Sequence, residues 1–266
     1  MIRSPPLATL FPYPSIVRSI APLAIVCVVA FTPLGYISLP TDGLSLRWFA
    51  AILDNPRFIS AFWLSLALGL VSSVIATALA VPAALAVARF HFPGRDAISA
   101  FLLSPLMIPH IVLGVAFLRF FSAVNINGTF SGLVMAHVIV ILPFALRLVL
   151  ASATGMDPAV ERAAVSLGAG RFTVFRRITL PLILPGIVSG WLLAFITSFD
   201  ELTMSVFIAS PSTTTLPVRM FLHIQDTIDP LVAAVSALMI AGTLLLMGAL
   251  DRLVGLERLF VGKGKQ

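Results

Sequence analysis

Charge is scarce in this chain: of 266 residues only 11% are Asp, Glu, Lys or Arg, while 59% are hydrophobic and the mean hydropathy is +1.07. A soluble domain of this length has too little interior to hide so much apolar surface. Cysteine is nearly absent as well. The single Cys27 excludes an internal disulfide and a multi-thiol metal site, and its place inside an apolar run suits a small core residue. No G-x-x-x-x-G-K-[ST] stretch occurs; the tail "VGKGKQ" lacks the upstream glycine and the Ser/Thr of a loop that cradles nucleotide phosphates. The alternating segments of about ten residues that build a transmembrane β-barrel are missing too, since "VVAFTPLGYISL" and "LVAAVSALMIAGTLLLMGAL" do not alternate. No convincing internal repeat with midplane acids marks an independent secondary transporter. No Ser nucleophile elbow or His/acid cluster marks a membrane enzyme.

What is present is a series of apolar runs that reach the roughly 20 residues a helix needs to cross a bilayer. The hydrophobic pattern predicts an all-α polytopic membrane helical bundle of six transmembrane helices, at residues 16–38, 60–88, 97–121, 130–152, 181–208 and 231–254. The first run is longer than a signal-peptide core and no small-x-small cleavage site ends it, so it reads as an uncleaved helix. With the N-terminus inside, the inner segments hold Arg3, Arg18, Arg89, Arg95, Arg147, Arg162, Arg171, Arg176, Arg177, Arg252, Arg258, Lys263 and Lys265. The outer ones hold only Arg47, Arg57, Arg119 and Arg219. This asymmetry places both termini in the cytoplasm and explains the pI near 10.7 by topology, leaving nucleic acid no role.

Two spans carry small residues at every fourth position: Ser65, Gly69, Ser73 and Thr77 in the second, and Gly186, Gly190, Ala194 and Ser198 in the fifth. Such stripes let helix backbones approach closely in lipid, either within one chain or along a dimer seam. Pro82, Pro105, Pro109 and Pro143 fall inside spans, where each is expected to kink or loosen its helix.

Between the fourth and fifth spans lies a polar insert, "AVERAAVSLGAGRFTVFRRITLPLILPGI". Asp157-Pro158 is a helix start, an Asp cap followed by Pro at the first helical position. Val160, Ala163, Ala164 and Leu167 then form one apolar stripe, and Gly168 ends the helix. A helix so short is unstable alone in water. Its smooth stripe suits another protein's groove, its own bundle or the membrane surface. The basic run Arg171, Arg176 and Arg177 suits anionic headgroups equally well.

Ala163-Ala164, Gly168 and Ile178-x-Leu180-Pro181 resemble the E-A-A-x3-G-x9-I-x-L-P loop of type I ABC importer permeases. Every element of that pattern is kept except the Glu, whose place is taken by Arg162, with Glu161 displaced by one. The resemblance implies a coupling helix that docks into an ATPase subunit, carried here by Glu161, Arg162, Ala163, Ala164, Gly168, Ile178, Leu180 and Pro181. Glu161 itself is expected to matter little, being turned about 100° from the family's position. The resemblance further implies an ATPase dimer that holds ATP and Mg, a second and similar permease in a heteromer, and a periplasmic or extracellular solute-binding protein. This chain itself would hold no cofactor. It would lie in a bacterial inner membrane, among lipid. The corresponding division is residues 1–59 for the first helix and outer loop, 60–253 for the transmembrane domain with its coupling loop 157–181, and 254–266 for a basic tail.

Ionisable groups inside spans are functional candidates. Asp200 and Glu201, in "ITSFDELTMSVFIASP", lie about 28 Å along the fifth helix from Pro181, near its outer mouth. "SFDE" with the following "SP" and "LPVRMF" resembles the same region of permeases for polyamines, opines and aminophosphonates, which implies a small amine-containing cargo. Adjacent residues diverge by about 100° around a helix, so one carboxylate is expected to face the pathway and the other to cap, or to pair with Arg219 or a loop. Both also read as markers of the span's end. His110, in "SPLMIPHIVLG", is either a pathway residue favouring a less cationic cargo or a polar core residue bonded to a neighbouring helix. His137 carries the same two readings, and two histidines on separate spans make no metal site.

Overall fold

In a bilayer every backbone N–H and C=O has to be satisfied by the chain itself, which an apolar helix achieves and an open strand does not. The computed structural model describes residues 14–254 of the chain, and among these no strand occurs. The helices are α1 (Pro14–Val29), α2 (Arg47–Leu53), α3 (Pro56–Arg89), α4 (Arg95–Leu103), α5 (His110–Ala123), α6 (Phe130–Gly155), α7 (Pro158–Ser166), α8 (Arg171–Val174), α9 (Leu180–Phe199), α10 (Ser205–Ile208), α11 (Leu216–Asp226) and α12 (Leu231–Val254). A 3-10 turn, Ser104–Met107, follows α4, and a π-turn, Phe175–Thr179, joins α8 to α9.

Among the described residues four helices are long and apolar enough to cross a membrane: α3, α6, the continuous run Arg171–Phe199, and Leu231–Ala249 of α12. The expected third span is broken. Arg95–Met107 and His110–Ala123 meet at 102°, with Pro105 in the 3-10 turn and Pro109 capping α5. Two prolines within five residues leave too few amide donors to carry a helix through. Pro82 and Pro143, each alone, sit inside the unbroken helices α3 and α6. The first span ends at Val29, not near residue 38, and its apolar stretch among the described side chains is Ile20–Val29, shorter than a span. The fifth ends at Phe199, not near 208, because the chain turns at Asp200 before α10. The tail 254–266 lies outside the described residues apart from Val254.

The chain divides into two compact units. In the first, described residues 14–59 with 220–244, the link after α1 is held by Arg47, whose Nη1 donates to Pro33 O at 2.8 Å while its guanidinium lies 4.8 Å over the Trp48 ring. Phe58 and His223 meet edge to face with ring centres 5.5 Å apart, and His223 Nε2 lies 3.2 Å from both Asp229 carboxylate oxygens.

The second unit, described residues 60–219 with 245–254, is built around α6 and α9. A Cβ on Gly190 would lie 3.1 Å from Ala145 O, and one on Gly186 would strike Ser152 and come within 2.9 Å of Leu148 O. The small-residue stripe of the fifth span is therefore an intramolecular seam. Gly69, from the stripe on α3, faces the Phe195 ring of α9 at 3.1 Å from its own notional Cβ. Ala145, Leu146, Val149, Ile183 and Ala194 are buried along or beside this contact. At the bend, α5 meets α10 where Gly114 lies close to Met204 and Phe207.

Gly186→Val should part α6 from α9 at a cost of about 1–3 kcal/mol, because its added carbons meet backbone as well as Ser152. The measurement is the thermal midpoint of the full chain in detergent. Gly155→Ala, where a Cβ meets nothing within 4 Å, serves as the control and should not fall. Equal midpoints for the two variants would show that the seam does not need its glycine.

Candidate functional site

The α6–α9 connection is built from local signals. Asp157 accepts from Ala159 N at 2.8 Å, and Pro158 opens α7 where no partner for its missing N–H is needed. At the far end Gly168 has φ +87°, Gly168 N donates to Val165 O at 2.9 Å, and Ala169 N donates to Ala164 O at 3.0 Å. This paired closure needs a left-handed residue, which glycine adopts without strain. None of the α7 side chains is buried. Val160 is 45% exposed, Leu167 89%, Ala163 is exposed and Ala164 half-buried, so most of the apolar stripe read from the sequence faces away from the described residues.

Glu161 faces the other way. Its Oε2 accepts from Arg89 Nη1 at the end of α3, and its Oε1 accepts from Thr179 Oγ1 in the π-turn. Arg89 Nη2 also reaches Met156 Sδ at 3.7 Å. The one-position displacement that argued for a minor role is what turns the carboxylate by about 100° off the outward face and onto the bundle. Ile178 and Leu180 are half-buried and Pro181 is exposed. The π-turn sits directly upstream of Pro181, which has no N–H for the carbonyl of Arg177, and Leu180 N reaches five residues back to Phe175 O. A cavity of about 650 Å³ opens beside α7, lined among others by Phe90, Glu161, Arg162, Val165, Arg171 and Phe175.

At the opposite end of α9 the two acids part company. Asp200, the C-cap of α9, is exposed. Glu201 is only 7% exposed; its Oε1 accepts from Met204 N at 2.7 Å and its Oε2 lies 2.9 Å from His110 Nδ1. Arg219 is not among these partners. The helix ends at Phe199, before both acids, so their directions are set by the turn. His110, the first residue of α5, is thereby tied to the end of α9. His137 is fully buried on α6, with Nδ1 2.8 Å from Ser198 Oγ and Nε2 3.0 Å from Ser205 Oγ. A hydroxyl both donates and accepts, so either ring tautomer satisfies both nitrogens.

The sequence reading missed Arg89 and Thr179 as partners of Glu161, and Ser198 and Ser205 as partners of His137. Arg89 and Glu161 are 72 residues apart, and His137 lies 61 and 68 residues from its serines, separations at which no local pattern operates.

Glu201→Ala should strip His110 and the Met204 amide of a buried acceptor and lower stability by about 2–4 kcal/mol, read as the thermal midpoint in detergent. Asp200→Asn should leave that midpoint within about 0.5 kcal/mol, as for an exposed residue without such partners. Equal losses at both positions would contradict the division of the acids.

Comparison with known proteins agrees with this architecture. Residues 76–255 match the family described as "Binding-protein-dependent transport system inner membrane component". The chain is 34% identical over 209 residues to the spermidine/putrescine transport system permease protein PotC of Haemophilus influenzae, covering 79% of this chain and 81% of that one. It is 30% identical over 227 residues to the putrescine transport system permease protein PotI of Escherichia coli, covering 83% and 80%. Among solved structures, a bacterial ABC transporter that imports the acidic polysaccharide alginate contains a chain of similar fold, with a TM-score of 0.70 at 14% identity over 89% of this chain and 91% of that one. The chain belongs to the inner membrane components of binding-protein-dependent transport systems, the membrane-spanning permease subunits of ABC importers.

Proposed function

We propose that this permease forms part of the import pathway for a small amine-containing solute of the polyamine class and is driven through α7 by a separate ATPase. The observation that carries the reading is the largely uncovered apolar face of α7, a capped helix of which no side chain is buried among the described residues. A helix of this kind gains by burial in a partner's groove, and Arg162 at its edge adds charge to the rim. ATP and Mg would be held by that partner, a dimer, since no phosphate loop occurs in this sequence. The excess of arginines among the segments assigned to the α7 side supports a cytoplasmic location for α7 and for both termini. A second, similar permease would complete the pathway as a heteromer, and a solute-binding protein would deliver the cargo from outside.

The polyamine relatives and Asp200 support the cargo class. An exposed carboxylate at the end of a span attracts an organic cation through a region otherwise poor in charge. His110 carries no argument against a cationic cargo, because its Nδ1 is engaged with Glu201.

Two measurements test the reading. In Ala164→Glu the bundle should still reach the membrane, but retention of the ATPase subunit in detergent and solute uptake should both fall at least about tenfold, because a charge cannot enter a desolvated groove without a partner. Normal retention with full uptake would end the docking proposal. In Asp200→Asn the KM for labelled putrescine or spermidine in reconstituted vesicles should rise about tenfold, the worth of one lost charge-assisted contact, with assembly intact. Wild-type kinetics there would remove Asp200 from the pathway.

A further inference from the structure

How α7 stays in place is a physical problem that hydrophobic burial does not solve. The helix has 9 residues and no buried side chain, and by itself so short a helix does not hold in water. Its cap from Asp157 is local and ties it to nothing else. The attachment is polar and converges on one side chain, with Glu161 taking the Arg89 guanidinium on one oxygen and the Thr179 hydroxyl on the other. The Arg89 and Glu161 side chains are 18% and 22% exposed, so water screens them far less than a surface pair, and Thr179 is buried at 5%. Thr179 closes the π-turn, the segment of the run Arg171–Phe199 whose hydrogen bonding departs from the α pattern.

We propose that Glu161 is the positioning residue of the coupling segment. With Arg89 and Thr179 it forms a clamp that locks α7 to the end of α3 and to the π-turn leading into α9. A displacement of α7 then moves both long helices together. The clamp rests on this geometry alone; its consequence for transport rests on the docking reading above.

The test uses the full chain in lipid nanodiscs, with millisecond hydrogen exchange read on the amides of α7 and, as an internal reference, on the interior of α6. In Glu161→Ala the α7 amides should exchange about tenfold faster while α6 is unchanged, because an Arg with its partner removed no longer holds the helix. Thr179→Val, which removes one hydrogen bond at nearly constant shape, should give a smaller rise of about threefold. The exchanged pair Arg89→Glu with Glu161→Arg should recover most of the protection, since the Thr179 hydroxyl accepts as readily as it donates. Unchanged α7 exchange in Glu161→Ala and in Thr179→Val overturns the clamp, and so does failure of the exchanged pair to recover protection. Should Glu161→Ala not accumulate, Thr179→Val and Arg89→Met carry the same decision. In the assembled importer, the ATP consumed per solute taken up should rise in Glu161→Ala and return in the exchanged pair. A loosened α7 with an unchanged ratio would count against the docking reading and leave the clamp standing.

Discussion

The close contact of α6 and α9 is the constraint on which the rest of the second unit depends. In lipid, two helices gain nothing by hiding apolar faces from each other, because the surroundings are equally apolar. They associate by fit. Gly186 and Gly190 remove the side chains that would hold the backbones apart, and Ser152, Leu148 and Ala145 occupy the space they leave. Both ends of this pair carry the polar chemistry of the unit: the Glu161 cluster where α7 links the two helices, and the His137 and Glu201 clusters where α9 gives way to α10. Separation of the pair by a methyl group's width would disturb both ends at once.

Polar groups inside an apolar bundle are tolerated when each finds a partner, and here the partners come from distant segments. His137 bridges the last turn of α9 and the first residue of α10, so one ring holds the two sides of the turn that carries Asp200 and Glu201. Glu201 then reaches across to His110 at the break of the third expected span. The break has a reason in Pro105 and Pro109, and the contact of Glu201 with His110 supplies what holds the broken end in place. Glu201 belongs to the scaffold of this region, and Asp200, one residue away, is left outside it.

The same logic separates the two faces of α7. Its outward face is apolar, small and largely uncovered among the described residues, and its inward face carries a carboxylate in a cluster of donors. A helix attached through one polar point can be positioned accurately without burying the surface it offers to another molecule. Had the helix been fastened by its apolar stripe, nothing of that kind would remain exposed.

Much of this was determined along the chain itself. Apolar run length marked α3, α6, α9 and α12 as membrane-length helices, since the bilayer sets the length. Asp157-Pro158 and Gly168 delimit α7 through hydrogen bonds that reach no more than five residues. The small-residue stripe marked the α9 face that packs, though not whether its partner was α6 or another copy. The tertiary structure alone decided where the polar side chains point and what they meet. Glu161 finds Arg89 72 residues earlier, Glu201 finds His110 91 residues earlier, and the fifth helix stops at Phe199 in spite of the apolar residues that follow. Hydropathy measures a residue's preference for lipid or water. A carboxylate inside a bundle answers instead to whichever donors the packing of other helices delivers, and that information is spread over the whole chain.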